Sequence, residues 1–122
     1  MPLIHILNET LKRVKKGFEY KTDMMQYGVI ENWTMPTDVD NLTSDCEEHA
    51  IACRMILRDL GIDSRLVYCK DETGAGHLVL EVEGWILDNR QRRVVARDRL
   101  ERKGYEFISI SGFMPLDDWR LL

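Results

Sequence analysis

The chain has 122 residues, 44% hydrophobic and 31% charged, the balance of an ordinary globular domain long enough to bury a core without staples. Its 17 basic and 21 acidic residues give a net charge of −4, which argues against a nucleic-acid binder built on a general basic surface. No apolar run approaches the ~18 residues that a membrane span needs, and no basic stretch with a long apolar core opens the chain.

There are no repeats, no low-complexity stretches and no Pro/Gly/Ser-rich linker, so the reading is a single domain over residues 1–122. The absence of a visible signal peptide sets cytoplasm as the expected compartment, or a virion or host cell if the gene is phage-borne. Cys46, Cys53 and Cys69 make an odd number, which suits a reduced chain better than a disulfide framework.

In chain order, Leu3, Leu7, Leu11, Val14 and Phe18 recur at spacings of three and four and predict an amphipathic helix ending at Gly17. Lys12, Arg13, Lys15 and Lys16 fall off that face and read as a solvated surface. Residues 19–45 hold no clean period and read as irregular, with room for one short helix. Cys46, Ala50, Cys53, Leu57 and Leu60 form a second helical stripe stopped by Gly61. Ser44 and Glu47 fit a capping box as N-cap and N3, which sets Cys46 in the first turn.

Beyond Gly61 the period changes to two. Residues 64–70 predict a strand, 71–76 (DETGAG) a turn, 77–83 the return strand and 85–88 a short strand after Gly84. Residues 94–102 predict a helical or irregular crossover, and 105–110 a last strand. Helices followed by antiparallel strands define an α+β fold.

The chemistry gathers around Cys46. The first turn of a helix presents unpaired N–H groups and the positive end of the helix dipole, which favour a thiolate and could hold an oxyanion. A thiol nucleophile needs a base, and the base needs an orienting group. His77 opens the strand after the turn and Asp88 closes the next short strand. Paired as neighbours, these strands bring His77 and Asp88 to one end, where the helix start can pack. His49 and Cys53, four apart on the helix, have the spacing of a metal pair, yet no second pair has ligand spacing. Cys53, Cys69 and His5 read as structural. Trp33 suits either core or a wall of the site, and Asn41 could give a second oxyanion donor.

Several motifs in one order resemble a known family. They are Ser44-Asp45-Cys46-Glu47-Glu48-His49-Ala50-Ile51, Gly76-His77-Leu78-Val79-Leu80 and Ile86-Leu87-Asp88-Asn89. Upstream stand Tyr20, Asp23, Tyr27-Gly28 and Trp33-Thr34-Met35-Pro36. From about Tyr20 to Asn89 the chain resembles the bacterial transglutaminase-like cysteine peptidases of the LapG type, within the papain-like and transglutaminase-like superfamily. Ser44 stands where the family has glycine, Glu48 where it has aspartate, and the 71–76 turn leaves little room for an insertion.

The resemblance implies a papain-like α+β core with Cys46 as nucleophile, His77 as general base and acid, and Asp88 orienting the imidazole. It implies a protein or peptide substrate, no required cofactor, and Asp45 and Glu47 as candidate calcium ligands. Two other readings of the same fold stay open. One is acyl transfer of the transglutaminase or amidase kind; the other is a binding or regulatory module with little turnover. Oligomeric state is not readable.

Overall fold

The structure is a computed structural model that describes residues 2–16, 44–113 and 117–122. The elements are α1 (Leu3–Lys16), α2 (Ser44–Asp59), β1 (Arg65–Lys70), β2 (Gly76–Val82), β3 (Trp85–Leu87), β4 (Val95–Ala96), α3 (Arg97–Arg102), β5 (Glu106–Ile110) and β6 (Arg120–Leu121). The strands form one sheet in the order β4-β3-β2-β1-β5-β6. Every neighbouring pair is antiparallel. The fold is therefore α+β, with the start of α2 packed over the sheet.

Two apolar clusters cover the two faces of the sheet, and alternation along the strands sorts residues between them. Leu66 and Tyr68 of β1, with Leu78, Leu80 and Val82 of β2, pack against Leu7, Leu11 and Val14 of α1 and Ala50, Cys53 and Leu57 of α2. Val67, Cys69 and Val79 point the other way, toward Leu100 of α3, Tyr105 and Ile110. β2 is buried along its whole length because it is covered on both sides. That burial includes Glu81, whose carboxylate takes a hydrogen bond from Arg65 Nη2 at 3.3 Å.

α2 stops where expected. Gly61 adopts φ 77°, the Gly61 N–H reaches the Arg58 carbonyl at 2.9 Å, and the Ile62 N–H reaches the Leu57 carbonyl at 2.8 Å. These two bonds close a Schellman motif, with Ile62 and Leu57 packed in the same cluster. The expected strand bounds shift by one residue: 64–70 narrows to Arg65–Lys70, and 77–83 becomes Gly76–Val82. The 94–102 crossover is a two-residue strand followed by a helix. The edge strand Arg120–Leu121 was not anticipated, since two exposed residues carry no periodicity.

Gly17, Phe18, the irregular 19–43 stretch with Trp33 and Asn41, and the Tyr20, Asp23, Tyr27-Gly28 and Trp33–Pro36 motifs lie outside the described residues. So do the side chains of Ser44 and Asp45, and with Ser44 the capping box. Among the described residues no helix is long and apolar enough to cross a membrane.

The inner cluster holds the helix pair to the sheet. Leu80→Ala removes a side chain that is 0% exposed between α2 and β2. It should cost about 2–5 kcal/mol of unfolding free energy, read by urea denaturation. Leu121→Ala, at a residue 79% exposed, should stay within about 0.5 kcal/mol.

Candidate active site

Cys46 is the third residue of α2, in its first turn, and is 1% exposed. His77 is the second residue of β2 and directly follows the 71–76 turn. That turn is tightly made. Asp71 Oδ1 accepts from Thr73 N at 2.8 Å, Thr73 Oγ1 at 2.5 Å and Ala75 N at 3.2 Å. Asp71 N–H closes on the Ala75 carbonyl at 3.0 Å. The entry of β2, and with it the His77 backbone, is therefore fixed by side-chain bonds within the turn.

Asp88 follows β3 directly. β3 pairs with β2 through Leu80↔Leu87 and Glu81↔Ile86, so Asp88 lands near the start of β2. The His77 Nε2–H donates to Asp88 Oδ1 at 2.6 Å. The imidazole also hydrogen-bonds with Cys46. The structure thus brings Cys46, His77 and Asp88 into one chain of contacts.

The carboxylate is the most enclosed member, at 0% exposure, and His77 is 4% exposed. Asp88 Oδ1 also accepts from the Arg90 N–H at 2.9 Å, and Oδ2 accepts from the Tyr105 hydroxyl at 2.7 Å. Burial pushes the Asp88 carboxyl up, but the bonds from His77, Arg90 and Tyr105 hold it below the usual carboxylate range. Burial likewise disfavours the imidazolium. Hydrogen bonds to Asp88 and Cys46 outweigh it and raise His77 to about 9.

The Arg90 side chain ties this corner to the turn. Its Nη1 lies 2.7 Å from Asp71 Oδ2 and its Nη2 2.5 Å from Glu72 Oε1. One residue therefore secures both the turn that launches His77 and, through its N–H, the carboxylate that His77 faces.

The remaining thiols and His49 differ from Cys46 in their surroundings. Cys53 and Cys69 are 0% exposed, and burial pushes both thiols well up. Cys69 Sγ contacts the His77 carbonyl at 3.5 Å. The His49 ring nitrogens lie 3.9 and 4.0 Å from Cys53 Sγ, and burial carries that imidazole down to about 4. Among the described residues no three His, Cys, Asp or Glu side chains gather as a metal cage. Glu47 has its carboxyl pushed up by burial and by the neighbouring charge of Glu48.

Two partners of the site were missed by the sequence reading, Arg90 and Tyr105. Arg90 sits two residues after Asp88, where an aspartate commonly accepts a backbone N–H, so a local Asx signal was present. Tyr105 was read only as the opening residue of a strand, and its target lies 17 residues away.

The chain matches the family of bacterial transglutaminase-like cysteine proteinases (BTLCP) over residues 3–122. It belongs to that family and is a cysteine peptidase of the transglutaminase-like kind. Its fold is similar to that of LapG from Legionella pneumophila. With that structure it shares 18% identity, with 93% of this chain covering 74% of that one and a TM-score of 0.54. An EGTA-treated form gives 18% identity, 88% and 72% coverage, and a TM-score of 0.50. A calcium-bound form gives 18% identity, 85% and 71% coverage, and a TM-score of 0.48. No curated protein matches closely enough to count as a relative.

The raised imidazole pKa has a definite consequence for stability. A base whose folded pKa lies above its unfolded value of 6.5 stabilises the fold fully below that value, and the gain is lost as pH rises through about 9. Unfolding free energy from this pair should therefore fall between pH 6.5 and 9. Nitrogen-15 NMR titration of His77 should give a midpoint near 9, and a midpoint at or below 6.5 would show that neither partner holds the imidazolium.

Proposed function

We propose that Cys46, His77 and Asp88 form the catalytic triad of this peptidase and cleave an amide of a protein or peptide through an acyl-enzyme. The observation that carries the reading is the His77 ring, bonded to the buried Asp88 carboxylate at 2.6 Å and to a cysteine at a helix start. A thiol in that position has a donor-rich environment for its anion, a base beside it and a carboxylate that fixes the base.

In the proposed reaction the Cys46 sulfur attacks the carbonyl carbon, and the carbonyl oxygen takes the electron pair. Backbone N–H groups at the positive end of α2 would stabilise that oxyanion. His77, which takes the Cys46 proton as the sulfur attacks, gives it to the departing amine as the carbon–nitrogen bond breaks. Water then attacks the thioester, and His77 takes a proton from it and returns it to the departing sulfur, which restores the thiol. Asp88 keeps the imidazole in one tautomer and stabilises its charged form.

The three thiols are buried alike, at 1%, 0% and 0% exposure, so differences in their reactivity report on chemistry rather than access. Iodoacetamide should label Cys46 first, and His77→Ala should remove that preference. Cys46→Ser should abolish hydrolysis while the melting temperature changes little. Asp88→Asn should lower turnover by up to about 10⁴-fold, the size seen when a serine-protease triad loses the same function. Cys53→Ser and Cys69→Ser should affect stability more than rate. A proteome-wide cleavage screen supplies the substrate. Uptake of a primary amine in place of water would turn the reading toward acyl transfer. Equal slow labelling of all three thiols with no cleavage would turn it toward a binding module.

The same reading assigns calcium to Asp45 and Glu47, oxygen donors of suitable hardness flanking the proposed nucleophile. The Glu47–Glu48 repulsion is a charge excess that a cation would relieve. Millimolar calcium should raise the melting temperature, since a ligand that binds only the folded state stabilises it. Asp45→Asn should abolish the rise. No shift with calcium would leave both residues as acids that favour the positive end of the helix.

A further inference from the structure

We propose that Tyr105 is a positioning residue of this peptidase, whose hydroxyl locks the plane of the Asp88 carboxylate so that Oδ1 faces the His77 ring. The proposal rests on the triad reading and deepens it.

The two carboxylate oxygens of Asp88 have divided duties. Oδ1 serves His77 Nε2 at 2.6 Å and Arg90 N at 2.9 Å, while Oδ2 meets the Tyr105 hydroxyl at 2.7 Å. A carboxylate turns about its Cβ–Cγ bond. Bonds on one oxygen leave the group free to tilt, and a bond on the other removes that freedom.

The direction of the tyrosine proton is also set. Gln91 Nε2 donates to the Tyr105 oxygen at 3.2 Å, so the hydroxyl proton is left for Asp88. Gln91 is itself held from three sides. Lys103 Nζ reaches its Oε1 at 3.3 Å, Lys15 Nζ its carbonyl at 2.7 Å, and its own N–H reaches the Asp88 carbonyl at 3.0 Å.

The ring has little room to move. Tyr105 is 4% exposed and stands edge-on to the His77 ring, 6.2 Å between centroids at 77°. Its backbone is the outer residue of the Schellman motif that ends α3. Gly104 N–H reaches the Glu101 carbonyl at 3.0 Å, and Tyr105 N–H reaches the Leu100 carbonyl at 3.0 Å. Gly104 has φ 108°, and a Cβ there would lie 3.3 Å from Glu72 Cβ, so glycine lets the helix end close against the 71–76 turn. A helix cap thus delivers a phenol to the buried carboxylate. The donated bond helps keep Asp88 ionised.

The test follows the rate of Cys46 alkylation by iodoacetamide against pH, in the full chain. It compares wild type, Tyr105→Phe, Asp88→Asn and the double variant. The charged and titratable groups around Asp88 are His77 from β2, Arg90 from the loop after β3 and Tyr105 beside β5. At longer range stand His49 from α2 and Cys69 from β1. Without the phenol, Asp88 takes a proton at higher pH and the imidazolium loses its counter-charge. Tyr105→Phe should slow alkylation about tenfold at pH 6 and move the acid limb upward. It should add nothing on the Asp88→Asn background, because the hydroxyl acts through that carboxylate.

An unmoved acid limb, or effects that simply add, would overturn the proposal while a severe Asp88→Asn left the triad standing. Full Cys46 reactivity in Asp88→Asn would sink both. If Tyr105→Phe does not fold, Gln91→Ala removes the donor that aims the hydroxyl. It should move the limb the same way by a smaller amount, and an unchanged limb there overturns the proposal.

Discussion

Among the described residues one carboxylate, Asp88, is 0% exposed and held below the usual carboxylate range by its donors, and the architecture around it makes that tolerable. Burying an unpaired charge costs several kcal/mol even after relaxation. Here the charge meets an imidazole, a backbone N–H and a phenol, drawn from β2, the loop after β3 and the residue just before β5. The three donors come from a strand, a loop and the end of a helix cap, and one of them, the Arg90 N–H, is only two residues from the carboxylate. The carboxylate therefore works as a knot that sets how the sheet, the 71–76 turn and the end of α3 sit together.

That knot explains why the proposed site lies at the sheet's end. His77 and Asp88 sit on backbone that has just entered or left a strand, where side chains are released from ladder packing but the backbone is still held. The helix start that carries Cys46 packs over the same end. The proposed triad is thereby built from three local terminations: the beginning of a helix, the beginning of one strand and the finish of another.

Much of this was readable from the residues. Apolar spacing marked α1 and α2, and the change to period two marked β1, β2, β3 and β5, because each covers a face long enough to show its rhythm. Cys46, His77 and Asp88 stood out because a helix start and two strand ends concentrate unusual residue types. The short edge strands β4 and β6 escaped, since two residues cannot display a period. The order of strands escaped too, as β5 pairs with β1 across the β2–β4 segment. Arg90 and Tyr105 were invisible as site partners for the same reason: their meaning lies in contacts that only the packed sheet creates. His49 and Cys53, spaced like a metal pair, are instead neighbours within a buried helix stripe.

Among the described residues both margins of the sheet are two-residue strands, Val95–Ala96 on one side and Arg120–Leu121 on the other. An incoming extended chain finds only a few open backbone groups at either margin, and the Arg120 charge stands at one of them. Such margins discourage edge-to-edge stacking of one molecule on the next, the route by which exposed ladders seed fibrils. A small chain whose interior strand β2 is buried along its whole length thereby keeps that segment shielded from other copies of itself.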